Sequence, residues 1–227
     1  MKKLIFSLLI LPVLVISCQD DDVPTPPVTA EKYMSVSAGS TWNYELTDKV
    51  LVTTDPFTIS SGSKDSTING RLYHVFTNSS GSSNEYYHIA ANDYFNYRSL
   101  PQSLGGSSVE NIYLKDNAAA GTSWTQLYAV TVSGFPSNVS VTHTITAKGL
   151  TKVVNNITYK DVIHVTTTIS ATISGIPLPA NALTTDIQAF YAPRVGMIQS
   201  KNKVGINFNG IVENTDHETI LKSADIK

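Results

Sequence analysis

The chain has 227 residues, 16 Lys and Arg against 18 Asp and Glu, a formal net charge of −2, 41% hydrophobic residues and a single cysteine. A near-neutral balance excludes the clustered basic surface that nucleic-acid binding needs. The lone cysteine excludes a disulfide framework and a cysteine zinc site, and the hydrophobic share excludes a disordered chain.

Met1-Lys2-Lys3 is a positive start, and Leu4 to Ser17 is an apolar run too short for the roughly 20 residues of a membrane-spanning helix. The run closes on Leu14-Val15-Ile16-Ser17-Cys18. That segment resembles the lipobox of bacterial lipoprotein precursors. The resemblance implies that residues 1–17 are a signal peptide and that Cys18 becomes the first mature residue, carrying diacylglycerol and an acyl chain of the palmitate type. Two or three chains at about 0.8 kcal/mol per buried CH₂ make a lasting anchor without a span. Gln19-Asp20-Asp21-Asp22 follows directly. It resembles the surface-export signal of Bacteroidota lipoproteins, which implies an outer-membrane location facing the medium; as plain chemistry it is a solvated acidic spacer. Residues 23–31 hold three prolines, so 18–31 reads as an extended tether.

From residue 32 to 227 the chain reads as one all-β domain. The reading predicts about eleven strands in an antiparallel curved sheet, a half-barrel or a sandwich. No window sustains a helical apolar stripe, and period-two segments are abundant. In chain order the strands are 41–53, 72–76, 85–90, 93–98, 109–115, 123–132, 138–148, 159–174, 183–192, 196–207 and 211–221. The alternation is clearest in the seventh and eighth. Val139, Val141, Ile145 and Ala147, with His143, fall on one face of 138–148; Tyr159, Ile163, Val165, Thr167, Ile169, Ala171 and Ile173 fall on one face of 159–174, interrupted at Asp161. Pairing these two strands sets rows of Thr opposite each other on a wet face. Asn69-Gly70 and Asn209-Gly210 are hairpin signals.

A weak internal repeat suggests two similar halves. Ala38-Gly39-Ser40-Thr41-Trp42 is echoed by Ala120-Gly121-Thr122-Ser123-Trp124, Asn69–Val75 by Asn156–Val162, and Tyr86-Tyr87 by Phe190-Tyr191. The opening Tyr33…Gly39-Ser40-Thr41-Trp42-Asn43-Tyr44 and the later Phe190-Tyr191-Ala192-Pro193-Arg194-Val195-Gly196 resemble motifs of uncharacterised Bacteroidota surface lipoproteins. That resemblance implies a curved sheet similar to outer-membrane lipoprotein carriers, which bind acyl chains on a concave face. Fold analogy alone does not carry function.

Catalytic and metal signatures are not found. His74, His88, His143, His164 and His217 form no ligand spacing. There is no nucleophile elbow or phosphate loop, and the acidic residues are scattered. No metal or cofactor is expected, and the chain reads as non-enzymatic. His164 falls on a wet face and His143 on an apolar one. The candidate ligand-contacting residues are aromatic: Tyr87, Tyr94 and Tyr97 from the dense cluster that ends at Arg98, with Trp42 and Trp124 after the two Gly turns. The same residues also read as ordinary core. The expected partners are a membrane, through the anchor, and a lipid or glycan ligand.

Overall fold

The computed structural model describes residues 31–227 except 82, 101–105, 133, 180 and 209–210. Residues 1–17, expected to be a signal peptide, Cys18, the Gln19–Asp22 run and Asn209-Gly210, expected to be a hairpin turn, lie outside the described residues. No helix occurs among the described residues, and none there is long and apolar enough to cross a membrane.

Thirteen strands make one antiparallel sheet: β1 (Thr41–Asp48), β2 (Thr53–Ile68), β3 (Arg71–Asn78), β4 (Glu85–Ala90), β5 (Asp93–Ser99), β6 (Ser108–Lys115), β7 (Ser123–Val132), β8 (Phe135–Val154), β9 (Ile157–Ile173), the two-residue β10 (Ile176–Pro177), β11 (Leu183–Ala192), β12 (Gly196–Phe208) and β13 (Ile211–Asp225). Their order is β6-β5-β4-β3-β2-β1-β13-β12-β11-β9-β8-β7, with β10 on the side of β9. The sheet is thus two consecutive meanders joined where β1 pairs β13, and it curls into a nearly closed barrel. The two halves expected from the sequence are these meanders. Trp42 opens the first in β1 and Trp124 the second in β7. Asn69-Gly70 turns β2 into β3 and Asn155-Asn156 turns β8 into β9, all four with positive φ, as a type I′ hairpin requires.

The second strand corrects the sequence reading. Residues 41–53 are not one strand. The Asp48 carboxylate accepts from the backbone N–H groups of Val50 (2.8 Å) and Leu51 (2.9 Å) and turns the chain. β2 then runs for 16 residues through a stretch with Pro56, Gly62 and two Asp that reads as loop. Its backbone is held on both sides, by β1 from Thr53 to Ser60 and by β3 from Ile59 onward. Pro56 sits before the β3 ladder begins, where its missing N–H faces no neighbour.

β8 and β9 pair as expected, Thr142 against Thr168 and Thr144 against Thr166, with hydroxyl bonds extending the row to β7 (Ser123–Thr144 and Thr125–Thr142, both 2.7 Å). Beyond Ile145 three register shifts bend the hairpin. Its tip packs on the outer face of the second meander, with Lys152 Nζ 3.8 Å from the Phe190 ring and Asn155 donating to Lys222 O at 2.9 Å. His164 stacks on Phe190 at 4.2 Å there and is half-buried, where the sequence reading left it in solvent.

No ladder joins β6 to β7. Side chains on alternate positions of β7 close this seam instead. Trp124 Nε1 donates to Ile112 O (2.7 Å), Gln126 Oε1 accepts from Ile112 N (2.6 Å), and Tyr128 OH donates to Glu110 O (2.8 Å). These bonds satisfy the backbone groups that a missing strand would have satisfied.

Residues 32–40 cross the end of the barrel where β1 begins and β13 ends. Tyr33 N donates to Tyr94 OH at 2.9 Å, Tyr33 OH to Asp161 O at 2.7 Å, and Met34 and Val36 enter the core beside Trp42. Residues 31–227 form a compact unit by themselves.

The seam makes a clear prediction. Gln126→Ala leaves the Ile112 N–H unpaired and should cost about 1–3 kcal/mol in urea unfolding. Leu127→Ala, on the outward, 66% exposed position of the same strand, should change stability by no more than about 0.5 kcal/mol.

Candidate functional site

The barrel encloses a cavity of about 530 Å³ bounded by residues of both meanders. Its wall alternates because the strands do: inward residues at period two line it, and their neighbours face out. At the end crossed by residues 32–40 the lining is apolar and aromatic, with Met34, Trp42, Tyr44, Tyr113, Tyr191 and Met197. Tyr113, Tyr44 and Tyr87 are buried so fully that their hydroxyls are pushed far above the ordinary phenol range, first by desolvation and then by the Glu85 charge and neighbouring tyrosines. They act here as neutral donors: Tyr44 OH to Met197 O at 2.8 Å, Tyr113 OH to Met34 Sδ at 3.2 Å and Tyr87 OH to Glu85 at 2.5 Å.

A polar chain spans the seam beside the cavity. Asn111 Nδ2 donates to Asn96 Oδ1 (3.2 Å), so Asn111 Oδ1 accepts from His143 Nε2 (2.8 Å), and His143 Nδ1 is left to accept from the Thr167 hydroxyl (2.8 Å). His143 is therefore neutral, with its proton on Nε2. Burial, and then the positive charge of Arg98, push its pKa down from 6.5 to about 4. This inward histidine is a satisfied member of a network. Among the described residues no group of three His, Cys, Asp or Glu is arranged to hold a metal.

Charged residues line the cavity as well, Arg98 and Glu213 towards the opposite end and Glu85 beside the aromatic cluster, where Tyr87 reaches it. Glu85 stands at the start of β4, Arg98 near the end of β5 and Glu213 near the start of β13. Glu85 is engaged by Asn78 Nδ2 (2.8 Å) and Tyr87 OH. Arg98 is exposed and makes no hydrogen bond or ion pair with any other described residue. Around this end the chain also exposes Leu51 (71%), Val52 (87%), Phe135 (56%), Ile176 (71%) and Val212 (68%). These are large apolar side chains on the turns and strand ends that ring it.

The aromatic residues singled out from the sequence separate. Trp42 and Tyr87 line the cavity. Trp42 is 3% exposed and its indole N–H bonds Val195 O at 2.6 Å. Trp124 is the seam bridge described above and stacks near His143. Tyr94 is fully buried; its hydroxyl donates to Asp116 (2.6 Å) and accepts from Tyr33 N. Tyr97 also borders the cavity, but its ring packs against Tyr73 and Tyr86 in a cluster with His88 and Phe95. Arg71 lies over Phe95 at 3.9 Å in that cluster. Sequence reasoning missed the inward roles of Asn111, Asn96 and Glu85. Period two places Asn96 and Arg98 on one face, but aromatics occupy both faces of β4 and β5, so the pattern does not say which face is inside.

Fold and cavity together define a nearly closed antiparallel β-barrel of two consecutive meanders with an internal hollow. No family model and no curated protein matches the sequence. Among solved structures the chain is similar to a candidate lipoprotein from Parabacteroides distasonis, with a TM-score of 0.50 and 12% identity over 87% of this chain and 100% of that one. It is also similar to a candidate exported protein with a YmcC-like fold from Bacteroides fragilis, with a TM-score of 0.46 and 8% identity over the same shares. The first likeness supports the fold.

His143 gives the site a pH signature. Unfolded, it titrates near 6.5; folded, near 4. Between these values the unfolded chain binds the proton and the folded chain does not. Stability therefore falls as pH drops through that window and levels off below it. The shift corresponds to something on the order of 3 kcal/mol. The difference between wild type and His143→Gln in urea unfolding should acquire its slope between pH 6.5 and 4; a flat difference there contradicts the neutral assignment.

Proposed function

We propose that this chain is a lipid-anchored protein of the bacterial outer membrane, exposed at the cell surface, that binds an apolar or acyl-chain ligand inside its barrel without transforming it. The cavity carries this reading. Its 530 Å³ lies within the roughly 300–1,000 Å³ of small-molecule sites, and one end of its wall is aromatic and aliphatic, as an apolar ligand needs, while polar side chains line much of the rest. The apolar ring of Leu51, Val52, Phe135, Ile176 and Val212 suits a mouth that takes its ligand from a lipid phase. Cys18 and the acidic residues Asp20, Asp21 and Asp22 supply the anchor and export parts of the proposal. The solved neighbours, described as lipoprotein and exported protein, are in keeping with an envelope location. The carbohydrate-binding alternative has less support, because Trp42, Trp124 and Tyr94 are committed to bonds inside the barrel and Tyr86 and Tyr97 pack edge to face, 6.5 Å apart.

Two experiments test this. Purified residues 31–227, run without detergent by native mass spectrometry, should carry a co-purifying lipid or take up a neutral hydrophobic dye. Neither signal, with retention on a glycan array instead, favours the carbohydrate reading. In cells, Cys18→Ser should leave the precursor uncut or the protein unacylated, and wild-type membrane attachment of this variant would remove the anchor from the proposal. Replacing Asp20–Asp22 with Ala should protect the protein from protease added to whole cells.

A further inference from the structure

Arg98 stands apart from Lys201, the other basic side chain that lines the cavity. Lys201 lines the same cavity but pairs with Asp186. Arg98 has no carboxylate partner among the described residues. Its direction follows from the ladder. Asn96 and Asn111 face each other across β5 and β6 and bond inside the barrel, and Arg98 opposes Val109 two positions further along the same face. Its charge is felt inside, where it depresses the basicity of His143 and eases ionisation of Tyr128 and Tyr191. Glu85 is the carboxylate nearest in register, one step beyond the Tyr86–Tyr97 pair. It turns to Asn78 and Tyr87 instead. A guanidinium presents a planar fork of donors suited to two oxygens of one anion. At the edge of a hollow that is apolar at its far end, such a fork suits the charged end of an amphiphile.

We propose that Arg98 holds the anionic oxyacid headgroup of a single-chain amphiphile whose hydrocarbon tail lies in the barrel cavity towards Trp42 and Tyr44. This rests on the reading of the cavity as an apolar-ligand site and adds the ligand's charge class and its orientation. Binding then places the tail against the aromatic end and the headgroup at the end ringed by exposed apolar side chains. No covalent step is involved.

The test is competition for the cavity of residues 31–227 loaded with the neutral dye N-phenylnaphthylamine. Dodecanoate and dodecyl phosphate are compared with the uncharged dodecanol. Wild type should prefer at least one of the two anions over the alcohol by about tenfold or more, the size of a hydrogen bond to a charged group, and the better anion identifies the headgroup. Arg98→Met, which keeps length and loses charge at an exposed position, should bind the dye as before and lose the preference. Glu85→Gln should keep or strengthen it. A wild-type protein that binds dye but shows no preference, or an Arg98→Met protein that retains it, overturns the Arg98 assignment and leaves the apolar-site reading standing. A wild-type protein that binds neither dye nor any of the three amphiphiles overturns both.

Discussion

A sheet built from two like meanders has to be joined twice to close, and only one of these junctions is made of backbone. At the first, β1 and β13 share eight residue pairs. At the second, β6 meets β7 through Trp124, Gln126 and Tyr128, which reach across to the carbonyls and the amide of Glu110 and Ile112. The architecture follows from that difference. The His143–Asn111 bond crosses the same seam on the inside, from β8 past β7 to β6. Twelve long strands already enclose more space than their side chains fill, since barrel diameter grows with strand number. The core therefore divides into separate clusters towards the ends and the second meander, and a hollow remains between them.

The parts that could be read from sequence are those where one local rule acts alone. The alternation of β8 and β9 is unbroken over the residues that face the interior, so their pairing and the Thr rows are legible. The two halves are legible because each is marked by a Gly turn into Trp, an Asn turn and an aromatic pair. β2 is not legible: with Asp55, Pro56, Gly62, Lys64 and Asp65 in it, local preference opposes a strand, and only the ladders on either side impose one. The site divides in the same way. The inward histidine of β8 is visible in the pattern. Its partner Asn111 lies 32 residues away across the unladdered seam, and no spacing rule reaches it.

The hairpin tip of β8 and β9 shows how the outer face is managed. Phe190 and Ile220 would leave apolar surface on the second meander, and the bent tip covers it with Leu150, Val154, Tyr159 and Val162. His164 loses its solvent there, and desolvation lowers its pKa below the ordinary imidazole value. Lys152 is likewise held below the ordinary amine range by burial against the Phe190 ring. Outward-facing cations in this region thus serve packing.

The interior is organised differently. Asn96, Asn111, His143 and Thr167 satisfy one another, and the buried tyrosines donate to backbone, sulfur or Glu85, so the polar groups in the middle and at the strap end of the cavity are paired. Arg98 and Glu213 lie towards the other end, while the Glu85 carboxylate is engaged by Asn78 and Tyr87 and the Lys201 amine by Asp186. A low-dielectric hollow with an unpaired cation, Arg98, towards one end has a field along its axis, and such a field is attenuated less than it would be in water. A molecule that is apolar along its length and charged at one terminus then has a preferred direction in the barrel before any particular contact is considered. A symmetric apolar molecule has none. Orientation, more than volume, is what the placement of Arg98 adds to the site.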